Sequence, residues 1–70
     1  MNTTIRHTIL AAISESWTGE PIPHPFENEF ARGQFEVAVH LLGYGGESEM
    51  EHAILDLYAD AQDVHENHSL

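Results

Sequence analysis

FENEFARGQFEVAVHLL, residues 26–42, is the stretch on which the fold turns. Read at the helical period, Glu29, Arg32, Glu36 and His40 share one narrow arc, and Phe30, Val37, Ala38 and Leu41 lie opposite. Arg32 then sits three residues after Glu29 and four before Glu36, both spacings that favour ion pairs on a helix. Pro25 ahead and Gly43 behind fit the asymmetry of helix starts and stops. Read at period two, Phe35, Val37, Val39 and Leu41 alternate with Glu36, Ala38 and His40, and Arg32-Gly33 becomes a hairpin turn. Coherent polar and apolar arcs over four turns favour the helix, while Gly33 and the β-branched valines count against it. The expected fold is therefore all-α, a small three-helix domain with a Pro-rich connector. The alternative is α+β, with a hairpin in 26–42 between two helices.

The flanks are plainer. Ile5, Ile9 and Ile13 recur every four residues, with Leu10 and Ala12 beside them, and predict a helix over residues 3–16. Trp17-Thr18-Gly19 ends it, Gly19 suiting a left-handed cap. Pro21, Pro23 and Pro25 impose an extended path, a stiff connector laid over the core with Ile22 tucked in. Gly43-Tyr44-Gly45-Gly46 is a break between helices, and without a following lysine it is no phosphate loop. Ser48-Glu49-Met50-Glu51 has the form of a capping box. Met50, Ala53, Ile54, Leu57, Tyr58, Ala61 and Val64 then form an amphipathic stripe, with a frayed tail expected over residues 65–70.

All of this fits one small domain over residues 1–70. The chain carries twelve Asp and Glu against two Arg, a formal charge of -10, and yet 41% of its residues are hydrophobic, which argues for folding rather than disorder. The charge speaks against direct binding of nucleic acid or an anionic membrane, since both require cations. With no cysteine there is no disulfide framework, thiolate zinc site or thiol nucleophile. No apolar run approaches roughly 20 residues and the first residues lack a signal-peptide layout, so a cytoplasmic protein is expected. No nucleophile elbow and no lysine is present, and a core this small hardly forms a water-excluding cleft, so no catalysis is expected. Glu49, His52 and Asp56 could reach one cation, but four-ligand spacing is missing, and neither metal nor other cofactor is expected.

The charge is concentrated near the end of the chain. Glu47, Glu49, Glu51, Asp56, Asp60, Asp63 and Glu66 are accompanied by no Lys or Arg. At helical period Glu49, Asp56, Asp60 and Asp63 share an arc opposite the apolar stripe. Like charges three or four residues apart destabilise a helix by about 0.2–0.5 kcal/mol per pair, so the row is either tolerated for solubility or kept for a basic partner. Such carboxylates are spaced comparably with successive phosphates along one strand, and arginine forks accept either group. The expected partner-binding residues are Glu47, Glu49, Glu51, Asp56, Asp60 and Asp63, with Glu29 and Glu36 extending the patch.

A tiny, acidic, cysteine-free chain of this kind resembles the phage-encoded anti-defence inhibitors, the anti-CRISPR and anti-restriction proteins, several of which imitate DNA. The run Phe30-Ala31-Arg32-Gly33-Gln34-Phe35-Glu36-Val37, closing with Leu41-Leu42-Gly43, also resembles short phage proteins. The resemblance implies a non-catalytic inhibitor acting in the host cytoplasm. It would occlude a basic nucleic-acid-binding protein or ribonucleoprotein complex of the host defence. The alternative is a small homodimeric structural or regulatory protein, because Phe35, Val39 and Leu42 make the apolar arc of the second helix wider than one partner helix needs.

Overall fold

The computed structural model describes residues 3–44 and 47–68, with the side chains of Thr3, Glu47 and His68 outside the description. Three helices, α1 (Thr3–Glu15), α2 (Glu29–Leu41) and α3 (Glu47–His68), make an all-α domain with no strand among the described residues. Residues 26–42 are helical from Glu29 onward, not a hairpin. Asn28 caps α2: its backbone is extended, and its Oδ1 accepts from the Ala31 amide at 2.9 Å. At the other end the Tyr44 amide donates to the Val39 carbonyl and the Gly43 amide to that of His40, with Gly43 at φ 84°. That pair of bonds is a Schellman motif, and only glycine takes the left-handed position without steric cost. Gly19, at φ 87°, is the left-handed residue of a separate turn past α1, closed by the Glu20 amide donating to the Trp17 carbonyl at 3.1 Å.

Trp17, just past α1, meets Phe30 and Gln34 near the start of α2, and Arg6 reaches Tyr44 just past its end, so these two helices run antiparallel. α3 turns back parallel to α1, bringing Asp60 to Arg6 and His65 to Ser14. Both α1 and α2 pack on α3. The core between them is Leu10, Ile13, Phe35, Ala38, Val39, Ala53, Ile54, Leu57 and Ala61, with Ile22 of the connector. The connector lies over this core as its prolines require: Pro25 is fully buried, and Tyr58 donates its hydroxyl hydrogen to the Ile22 carbonyl. No helix among the described residues is long and apolar enough to cross a membrane.

The faces are distributed differently from the expectation. On α2 the buried residues are Ala31, Phe35, Ala38 and Val39, whereas Phe30, Val37 and Leu41 are 66%, 57% and 66% exposed. The reason is that α2 carries two adjoining apolar arcs, and α3 covers the one centred on Phe35. On α1 the side turned to α3 holds Leu10, Ile13 and Ser14, leaving Ile5 half exposed. Gly33 stands in mid-helix, where glycine costs about 1 kcal/mol relative to alanine, although a Cβ there would meet no described atom within 4 Å.

Residues 65–68, expected to fray, continue α3, and a hydrogen-bonded clasp holds His65. The Glu20 carbonyl can only accept, so at 2.6 Å the His65 Nε2 carries the hydrogen and donates. Nδ1 of the same ring is hydrogen-bonded to the buried Ser14 hydroxyl at 2.7 Å. Three segments are joined by one imidazole. Among the described residues every buried side-chain nitrogen and oxygen has a partner. Replacing Ser14 by alanine should cost about 1 kcal/mol, which in a domain of this size lowers the melting temperature by roughly 4–8 °C. Thermal denaturation followed by circular dichroism measures this, and an unchanged midpoint would remove the clasp from the account of stability.

Candidate functional site

The described acidic side chains of α3 divide into a row of four and two outliers. Glu49, Asp56 and Asp63 are exposed and seven residues apart, which at 1.5 Å of rise per residue is about 10.5 Å per step. Asp60 falls between the last two on the same arc. Glu51 follows Glu49 by two residues and so points about 160° around the axis from it, and Glu66 is likewise exposed away from the row. Glu47 opens α3, but its side chain lies outside the described residues.

The row flanks α1 instead of standing opposite the apolar stripe. The Arg6 Nη2 donates to the Asp60 carboxylate, and the Arg6 Nη1 to the Tyr44 hydroxyl at 3.4 Å. Arg6, His7, Leu10, Asp60, Asp63 and Val64 line a shallow furrow between the two helices. Asp60 is therefore spent on an internal ion pair, with its side chain about half exposed. The bond to Asp60 holds the Arg6 guanidinium above its ordinary pKa, overcoming the opposite push from burial, and Tyr44 adds to the rise. A raised folded-state value means that this contribution is complete across neutral pH and is lost only as pH climbs through it, far into the alkaline range.

Glu29 and Glu36 do not extend the row. Glu29 lines a groove between α1 and α2, which α1 separates from the furrow that holds Asp60 and Asp63. Glu36 accepts from the Arg32 Nε at 3.0 Å, the ion pair expected from their spacing, and the same guanidinium lies 5.6 Å from the centre of the Phe26 ring. Among the described residues no three His, Asp or Glu side chains converge as a metal-binding group, so Glu49, His52 and Asp56 do not form one.

Sequence reasoning missed the groove itself. It is an open cleft of about 680 Å³ walled by Ile9 and Ile13 of α1 and by Phe30, Val37 and Leu41 of α2, with Gly33 on its surface. One end is closed by polar contacts: the Trp17 indole donates to Gln34 Oε1 at 2.8 Å, and Gln34 Nε2 donates to the Ser16 hydroxyl at 2.7 Å. The available signal was the double width of the apolar arc on α2.

Replacing Arg6 by methionine keeps the stem and removes the fork, leaving Asp60 with like-charged neighbours along α3. It should cost up to about 1 kcal/mol at low salt and less at high salt. Asp60→Asn breaks the same pair but relieves the repulsion from Asp56 and Asp63, so it should cost less. Urea unfolding of both variants at two salt concentrations checks the order, and equal losses would show that the row does not repel itself measurably. Comparison of the chain with protein-family models, with curated proteins and with solved structures finds no significant match in any of the three.

Proposed function

We propose that this protein is a non-catalytic inhibitor that docks the acidic flank of α3 on a basic, nucleic-acid-binding surface of a host defence complex. The observation that carries the reading is the exposed ladder of Glu49, Asp56 and Asp63 on a single helix that has no lysine or arginine of its own. Its carboxylates ride on a helix packed against the rest of the domain, so they are held in register before any partner arrives. Docking then costs little ordering entropy, and arginine forks that evolved to take phosphate can take these carboxylates. Asp60 acts as an anchor for α1 and contributes less to the partner than its neighbours. The site of action in this reading is the host cytoplasm.

Exposed charges steer encounter and are screened by salt, so association should be fast and salt-sensitive. The test captures partners from host extract on the immobilised protein at low and at high salt. The captured protein is then offered duplex DNA or RNA as a competitor. A variant with Glu49→Gln, Asp56→Asn and Asp63→Asn leaves the Arg6–Asp60 pair intact and should bind at least tenfold more weakly. Full retention by this variant at physiological salt, or a partner that nucleic acid does not displace, would rule the mechanism out.

A further inference from the structure

We infer that the groove between α1 and α2 is the interface through which this chain pairs with a second copy of itself. The inference stands apart from the acidic docking of α3, because no described residue of α3 lines the groove. It also moves the dimer surface expected from the sequence: Phe35 and Val39 are fully buried and Leu42 packs against the core, so the residues available to a partner are others.

Three observations converge on this face. The first is apolar exposure concentrated in one place. Phe30, Val37 and Leu41 of α2 are each more than half exposed, Ile9 faces them from α1, and Ile5 continues the strip one turn earlier. Scattered exposed apolar residues need no explanation, but a contiguous set around a cleft marks an interaction surface.

The second observation is the placement of charge. Among the described carboxylates only Glu29 lines the groove. Gln34, the uncharged polar side chain in the lining, is already bonded to Trp17 and to Ser16 at the closed end, so covering it strands neither its oxygen nor its nitrogen. A molecule with a net charge of -10 can approach its own copy closely only through a face from which charge has been removed. A cationic partner helix would instead call for acids along both walls.

The third is Gly33. Its backbone does not require glycine, and nothing inside the described chain approaches it, yet it occupies mid-helix on the groove surface at a cost to helix stability. Close approach of another backbone is what a glycine in that place permits. Phe30, Val37 and Leu41 form a ridge, and the cleft beside them with bare Gly33 forms a hollow. One face thus carries both halves of a self-complementary contact, which is what a two-fold interface requires.

Sedimentation equilibrium of the full chain tests this across micromolar to submillimolar concentrations at several salt concentrations. The expected result is a rise in mass from one 7.8 kDa chain toward two, with tighter association at higher salt because salt screens the repulsion between like-charged copies. Docking through the acidic row has the opposite salt dependence, so the two ideas fail separately. Gly33→Gln adds bulk in open space without changing charge and should weaken dimerisation at least tenfold while the helical circular dichroism persists. Val37→Ser, at an exposed position, should act in the same direction and serves if the first variant does not fold. A mass that stays at one chain under all conditions overturns the proposal. So does a dimer that salt weakens, or one that both substitutions leave intact.

Discussion

The packing of α3 against both other helices is the constraint on which the structure rests. Leu57, Ile54 and Ala61 are buried to the last few percent, and with Phe35 and Val39 from α2 and Leu10 and Ile13 from α1 they make up most of the apolar interior. A chain of 70 residues hides only ~60% of its unfolded surface, so there is no second core to fall back on. Because α3 serves both neighbours, α1 and α2 have little left to do for one another, and the groove between them follows directly. The Trp17–Gln34–Ser16 contacts close one end of that groove and fix the separation of its walls.

The electrostatics answer to the same economy of material. With two guanidinium groups to place, the chain puts Arg32 beside Glu36 on the surface of α2, where it also lies over Phe26. It puts Arg6 where one side chain can reach both Asp60 and Tyr44, tying α1 to α3 and to the turn before it. Among the described residues no other carboxylate is in an ion pair with Arg6 or Arg32. The mutual repulsion of these carboxylates is tolerable at physiological ionic strength because exposed charges more than ~8 Å apart are largely screened.

Helical period, the proline connector and the glycine breaks made the three-helix architecture legible in the sequence. The choice of helix over hairpin for residues 29–41 rested on arcs that the structure retains. Which arc faces inward was not legible. Periodicity reports how wide an apolar surface is but not which neighbour covers it, so Phe30 and Phe35 look alike until α3 is in place. The buried Ser14 is hydrogen-bonded to His65, and those residues are 51 positions apart. Asp60 left the free row because Arg6, 54 positions away, takes it. Long-range polar pairs of this kind leave no periodic trace. The exposed ladder of Glu49, Asp56 and Asp63, a property of one helix, could be read directly.

The Schellman turn at Gly43 has a consequence for the order of assembly. It ends α2 only five residues before α3 begins, so the two helices meet as neighbours with a small loop-closure cost. The polar pairs of α1 with α3, Arg6–Asp60 and Ser14–His65, span more than fifty residues and become favourable only once α2 and α3 provide a surface to land on. During synthesis α1 emerges before α3, its main partner. Until α3 emerges Leu10 lacks the core residues of that helix to pack against, and the domain closes only once they have left the ribosome.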